Sequence, residues 1–303
     1  MGIELKENFD IKTHTSWKIG GILKCVYFPE TIDEFVALCK QNNDVCVLGN
    51  MSNVLISDFG CSKKIILTSK MDKISFDGSR VTALCGVKGQ KLAQEAAKLG
   101  LSGLEFLIGF PGSVGGEVYM NASANGQAIS DNFIKAVCYK ENKGLYEISK
   151  DEMQFGYRTS ICQTENIKIL SAEFELIPED IEKVNAKMNE FLAFRKAHQP
   201  LLNLPNCGSV FKNPAGNSAG KLLEDCGAKN FSIGGAKVWE NHANFIINTG
   251  NATSTDVLEL IYKMQSCVFE KYDIKLEPEV IYLGGNNKRE AELCRLIYQK
   301  SQK

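Results

Sequence analysis

The amino-acid sequence predicts an α+β fold divided into two or three domains. Three observations carry this. The chain has 303 residues, more than one hydrophobic core usually serves. Apolar runs of strand length recur along it, interrupted by a few stretches with helical spacing. Pro200, Asn203, Pro205 and Asn206 follow a long periodic segment and mark a linker near residue 200.

The elements follow in chain order. Thr13 to Gly21 reads as a turn, with His14 at its surface, leading into a strand over Leu23 to Phe28. Thr31-Ile32-Asp33-Glu34 is a capping box, and the helix it opens runs to about Gln41 with Phe35, Leu38 and Cys39 on one face. A short strand, Asp44 to Leu48, then ends in the small polar turn Gly49-Asn50-Met51-Ser52-Asn53 before Val54 and Leu55 resume a strand. Ligands collect at such carboxyl ends of strands. Lys64 to Thr68, Lys73 to Phe76 and Arg80 to Gly86 read as strands, and Gln90 to Leu99 as a helix stopped by Gly100. Strands are expected over Ile134 to Tyr139, Leu145 to Ile148 and Ile167 to Leu176. Pro178 opens a long helix whose Ile181, Val184, Met188, Phe191 and Leu192 should all be core. Beyond the linker, helices capped by Ser218 and Thr253, a strand over Leu276 to Tyr282 and a helix from Asn286 to Lys303 make a small α+β domain.

Composition narrows the function. A net charge of −1 gives no footprint for nucleic acid or a membrane surface. No apolar run reaches spanning length, and the first residues carry no apolar signal core. The 11 cysteines include no C-x-x-C pair and no Cys/His grouping at metal spacing, so no metal site is expected. They read as small buried hydrophobes in a reducing cytoplasm. No obligatory protein partner is evident.

The stretch Leu107 to Gly126 holds five glycines, Gly109, Gly112, Gly115, Gly116 and Gly126, with Pro111 at its entry. Glycines at this density let backbone take positive φ or approach a ligand closely, and consecutive N–H groups in such a turn suit pyrophosphate. The pattern is neither the dinucleotide fingerprint nor a P-loop. The alternative is a tight connection between strands. In Phe155-Gly156-Tyr157-Arg158-Thr159-Ser160, Arg158 is either a surface charge or a fork for a carboxylate.

Leu48-Gly49-Asn50, Ser52-Asn53, Pro111-Gly112-Ser113-Val114-Gly115-Gly116, Met120-Asn121-Ala122, Tyr157-Arg158, Gly208-Ser209, Phe211-Lys212-Asn213-Pro214 and Leu276-Glu277-Pro278-Glu279-Val280 occur in this order. Together they resemble the UDP-N-acetylenolpyruvoylglucosamine reductase family, from about Thr13 to Leu283. The resemblance implies non-covalent FAD on a fold of the vanillyl-alcohol-oxidase type. Residues 1–70 and 71–198 would be two FAD-binding α+β subdomains, and 199–303 a C-terminal substrate domain. It implies NADPH as reductant and a nucleotide-sugar substrate, UDP-N-acetylglucosamine enolpyruvate, reduced to UDP-N-acetylmuramate for peptidoglycan.

By the same resemblance Gly49, Asn50, Met51, Ser52, Asn53, Pro111, Gly112, Ser113, Gly115, Gly116, Asn121 and Ala122 bind the cofactor. Ser209 donates the proton, and Arg158 and Glu279 stabilise the enolate-like intermediate. Arg158, Arg195, Asn213 and Glu279 bind substrate. The helix between Arg158 and Ser209 matches the family's shorter form, without a tyrosine-bearing loop. Three positions depart from the family pattern. Met51 stands where glycine is usual and is strained if that position needs positive φ. Glu117 replaces a small residue and Ser123 a glycine, and a carboxylate beside pyrophosphate is unfavourable unless paired. Two alternatives to the reductase are another flavin oxidoreductase of this fold and a non-catalytic paralogue binding flavin or nucleotide-sugar.

Overall fold

Thr31 caps the first helix, but the reciprocal half of the expected capping box is displaced by one residue: the Glu34 carboxylate accepts the Glu30 N–H at 2.7 Å. In the computed structural model α1 (Ile32–Gln41) has the Thr31 side chain accepting from the Glu34 N–H at 3.2 Å, and Phe35, Leu38 and Cys39 point inward. The helix is the crossover between strands Ile22–Phe28 and Cys46–Leu48, which lie parallel on either side of Ile65–Leu67. Parallel neighbours need such a crossover.

The structure describes residues 2–42, 44–201 and 203–299. They group into two units. Unit 1 takes the N-terminal residues to Lys6, Cys25–Asn50 and Lys63–Arg195; unit 2 takes Glu7–Lys24, Met51–Ser62 and the chain from Lys196 onward.

Unit 1 is built on an antiparallel sheet in the order Gly144–Ser149, Phe133–Lys140, Lys168–Glu175, Arg80–Leu84, Ile74–Asp77. Besides α1 it holds the helices α2 (Gly89–Lys98), α3 (Val114–Tyr119), α4 (Ile161–Thr164) and most of α5 (Ile181–His198). Leu92, Phe106, Val118, Phe133 and Phe174 fill one core with Val81 of the sheet. The expectation for α5 needs correction. The helix begins at Ile181 rather than at Pro178, because Ile177–Pro178 pairs with Leu101–Ser102 as a short strand. Only Val184, Met188 and Phe191 are buried, while Ile181 and Leu192 are exposed. Leu192 lies about 100° around the helix from Phe191 and so leaves the narrow buried stripe.

Unit 2 packs α6 (Ala219–Asp225), α7 (Ser254–Tyr272) and α8 (Lys288–Tyr298) with a three-stranded antiparallel sheet, Ser232–Ile233, Ala236–Val238 and Ile246–Asn248. Val54–Ile56 pairs in parallel with Ile281–Leu283 in the same unit. Trp17, Leu55, Phe211, Ile261 and Ile297 share its core. Fully buried Glu290 fixes α8, accepting from Ser57 Oγ at 2.5 Å, Tyr282 OH at 2.7 Å, Thr255 Oγ1 at 3.1 Å and Ser254 Oγ. The expected strand over Leu276 to Tyr282 forms only at Ile281–Leu283. Pro278 brings no N–H to a ladder, and the residues before it make isolated bonds instead. The expected C-terminal helix lies within the described residues only as far as residue 299.

Candidate active site

Unit 1 brings the two predicted phosphate turns together. The Asn50 amide donates from Nδ2 to the Pro111 carbonyl. Gly49 lies so close to Ser113 that a Cβ there would stand 2.2 Å from its Oγ. That hydroxyl is buried and has no hydrogen-bond partner among the described residues. A buried hydroxyl in this state costs about 1–3 kcal/mol, which an anionic ligand at the turn would recover. The cradle fits a cofactor diphosphate: small residues, N–H groups and an available hydroxyl.

The glycines of the long stretch act differently from expectation. Of the five, only Gly126 has positive φ. The stretch is also more ordered than a turn, passing through a 3₁₀ segment at Glu105–Gly109 and then α3. Gly115, a poor helix former, is there for contact. Its N–H donates to the Cys85 carbonyl at 2.9 Å, and a Cβ would lie 2.8 Å from that of Cys85. Asn121, with φ of 43°, holds Gly156 O from Nδ2 at 2.9 Å, and the Ala122 N–H donates to the Glu117 carbonyl.

Two of the family departures acquire physical explanations. Met51 does take positive φ, 52°, at a strain of about 1 kcal/mol. Its side chain is only 7% exposed, and burying it contributes about 2 kcal/mol, which offsets the strain. Glu117 is 4% exposed, and neither carboxyl oxygen has a hydrogen-bond partner among the described residues. The carboxyl abuts Gly89 and Gly112, where a Cβ would lie 2.2 and 2.7 Å from Oε1. Burial alone pushes its pKa up to about 8. The group is therefore mostly protonated at pH 7 and sets little negative charge beside the turn. Glu105 is the contrast. Burial raises its pKa too, but Ser102 Oγ at 2.5 Å, the Gly103 N–H at 2.8 Å and Lys187 at 3.4 Å outweigh it and hold the carboxyl low.

Arg158 sits in a loop fastened to the end of α3. Ser160 Oγ and Gln163 Nε2 both donate to the Tyr119 carbonyl, at 2.7 and 2.9 Å. Arg158 itself has φ of 56°. Its Nη1 donates to Ser123 Oγ at 2.6 Å and its Nη2 to the Ser123 carbonyl at 3.2 Å. Ser123, the third departure, thus helps to aim the guanidinium.

Unit 2 brings Ser209 and Glu279 onto paired segments. The Glu279 N–H donates to Val210 O at 2.8 Å, the Lys212 N–H to Glu277 O at 2.9 Å, and Phe211 bridges Pro278. Asn244 pins the same segment. Its amide takes the Phe211 N–H at 3.0 Å and donates to the Phe211 carbonyl at 2.9 Å, while the Val210 N–H donates to the Asn244 backbone carbonyl at 2.9 Å. The Lys212 ammonium pairs with the Glu277 carboxylate at 2.8 Å. Asn213 accepts the Ala219 N–H at 3.0 Å at the start of α6.

Arg195 lies in unit 1, its Nε donating to Gly109 O at 2.6 Å, with burial holding its pKa below the ordinary value. Ser52 and Asn53 are half-buried at the other end of the first turn, in unit 2. His242 accepts the Asn244 N–H on Nδ1 and packs against Phe245, and exposed His14 stacks on Phe9. Asn244 and Ser123 were not among the site residues expected. The Ala-Asn-Phe-Ile run at 243–246 is the signal that points to Asn244. Among the described residues no helix is long and apolar enough to cross a membrane. Nor, among them, do His, Cys, Asp and Glu group to hold a metal.

An "FAD binding domain" profile matches residues 23–142. A profile for "UDP-N-acetylenolpyruvoylglucosamine reductase, C-terminal domain" matches residues 199–283. The chain is 43% identical over 289 residues to a UDP-N-acetylenolpyruvoylglucosamine reductase of Caldicellulosiruptor bescii, covering 93% of this chain and 92% of that one. It is 40% identical over 286 residues to that of Listeria monocytogenes, covering 93% and 96%. The crystal structure of a UDP-N-acetylenolpyruvylglucosamine reductase from Thermus caldophilus superposes with a TM-score of 0.80 at 31% identity, covering 93% of this chain and 99% of that one. This chain belongs to the UDP-N-acetylenolpyruvoylglucosamine reductase family.

Proposed function

We propose that the protein is the FAD- and NADPH-dependent reductase that converts UDP-N-acetylglucosamine enolpyruvate to UDP-N-acetylmuramate, a cytoplasmic step of peptidoglycan precursor synthesis. One observation supports this most strongly: the segments that carry Ser209 and Glu279 are bonded to each other, the Glu279 N–H donating to the Val210 carbonyl at 2.8 Å and the Lys212 N–H to the Glu277 carbonyl at 2.9 Å.

FAD, when bound, carries hydride from NADPH to the methylene carbon of the enolpyruvyl group. The backbone of Gly49 to Asn53 and of Pro111 to Gly116 would hold its diphosphate, with the Ser113 hydroxyl as a donor and Asn121 and Ala122 as further cofactor-binding residues. Hydride addition leaves negative charge shared between the adjacent carbon and its carboxylate. Arg158, aimed in part by Ser123, binds that carboxylate and stabilises the charge. The Ser209 hydroxyl gives its proton to the carbon, and Glu279 holds the carboxylate side and restores the serine proton. Asn213 and Arg195 serve the nucleotide-sugar.

The test is Ser209→Ala. We expect flavin reduction by NADPH to proceed at the wild-type rate while turnover of the enolpyruvyl substrate falls by about a thousandfold, within the range a general acid contributes. Wild-type turnover would remove Ser209 as the acid. A related flavin oxidoreductase would instead leave the reduced flavin unaltered by this substrate.

A further inference from the structure

We propose that the Asn53 side chain is a positioning residue for Glu279 rather than a ligand of the cofactor. The inference rests on Glu279 acting on substrate as proposed above. In unit 2 Asn53 brackets Val280. Its Nδ2 donates to the Glu279 carbonyl at 2.8 Å, and its own carbonyl accepts the Ile281 N–H at 3.0 Å. The Glu279 N–H is held in turn by Val210 O at 2.8 Å, next to Ser209. Both sides of Glu279 are therefore fixed, one from the segment of the proton donor and one from the end of the cofactor turn.

Chain geometry explains why a side chain is needed. Leu276–Val280 is not in a ladder, since Pro278 interrupts it, and regular parallel pairing begins only at Ile281 with Val54. At Glu279 the backbone carbonyl lies beyond that pairing, and the Asn53 amide supplies its donor. A side-chain amide used this way has its remaining hydrogen-bonding capacity limited to one N–H and the oxygen. A carboxyl that must meet a reacting group within a fraction of an ångström is sensitive to this anchoring.

The experiment uses FAD-loaded enzyme in stopped flow, with the two half-reactions measured apart, and FAD affinity measured by fluorescence. For Asn53→Ala we expect reoxidation by the enolpyruvyl substrate to slow about tenfold, the scale of one lost hydrogen bond. Reduction by NADPH and the Kd for FAD should change by less than about twofold. Asn53→Asp, whose carboxylate cannot donate, should match Ala despite its near-identical size. In a Glu279→Gln background, Asn53→Ala should cost less than about a further twofold, since the two residues act as a unit. Weakened FAD binding, or equal slowing of both half-reactions, would assign the side chain to the cofactor and overturn the inference. An undiminished Asn53→Ala effect in Glu279→Gln enzyme would also overturn it. Glu279→Gln with wild-type reoxidation would instead reject the role of Glu279 itself.

Discussion

Glu117→Gln should stabilise unit 1, increasingly so as pH rises. Burial raises the Glu117 carboxyl from its ordinary 4.5 to about 8. A carboxyl whose pKa is raised on folding is costless below 4.5, where both states hold the proton. Stability then declines as pH climbs, because the unfolded chain releases a proton that the folded chain keeps. Above pH 8 both states are ionised and the cost levels off. At pH 7 the separation is two and a half units, or about 3 kcal/mol; by pH 9 it is about 5 kcal/mol. Glutamine has nearly the same volume and leaves a neutral polar group in the same unpartnered place, so the substitution removes the ionisation effect with little change in packing. Tryptophan fluorescence reports the wrong unit, since Trp17 and Trp239 both lie in unit 2. Pulsed hydrogen exchange across a urea series, read on peptides covering α2 and α3, isolates unit 1. The variant should exceed wild type by less than about 1 kcal/mol at pH 4.5–5 and by about 3 kcal/mol at pH 7. Equal stability at pH 7, or a wild-type curve flat from pH 5 to 8, would refute burial as the source of the shift.

Two other substitutions address the pieces of the site. Asn244→Ala removes both bonds to Phe211 in a fully buried position and should destabilise unit 2 by about 2–4 kcal/mol; a urea titration followed by tryptophan fluorescence reads it directly. Ser123→Ala deletes the 2.6 Å bond that helps to aim Arg158. It should raise the KM for the enolpyruvyl substrate about tenfold and leave the rate of flavin reduction by NADPH unaltered. An unchanged KM would mean Arg158 is oriented by other contacts.

What the sequence revealed was mostly local. Thr31, Ser218 and Thr253 cap helices where expected, since capping depends on residues three apart. Strands with alternating burial, such as Arg80–Leu84, were legible for the same reason. Met51 showed its strain because a family glycine signals a backbone angle. Long-range contacts were not legible. Gly115 reads as turn flexibility, yet its use is an approach to Cys85, thirty residues earlier in the chain. Ser123 reads as unwanted bulk and is a partner of Arg158. Asn53 reads as one more polar turn residue, though its amide reaches Glu279, which no spacing within the turn reveals. Glu117 carried a charge in the sequence and carries little in the fold at pH 7, because burial decides its protonation.

The central claim, that this chain passes hydride from NADPH to an enolpyruvyl nucleotide-sugar, is tested most directly without oxygen. FAD-loaded protein is reduced with one equivalent of NADPH, and UDP-N-acetylglucosamine enolpyruvate is then added while the flavin absorbance near 450 nm, about the wavelength of oxidised flavin, is followed. The account predicts rapid and complete return of the oxidised spectrum, with UDP-N-acetylmuramate formed in equal amount. Bleaching that persists after the substrate is added would contradict it.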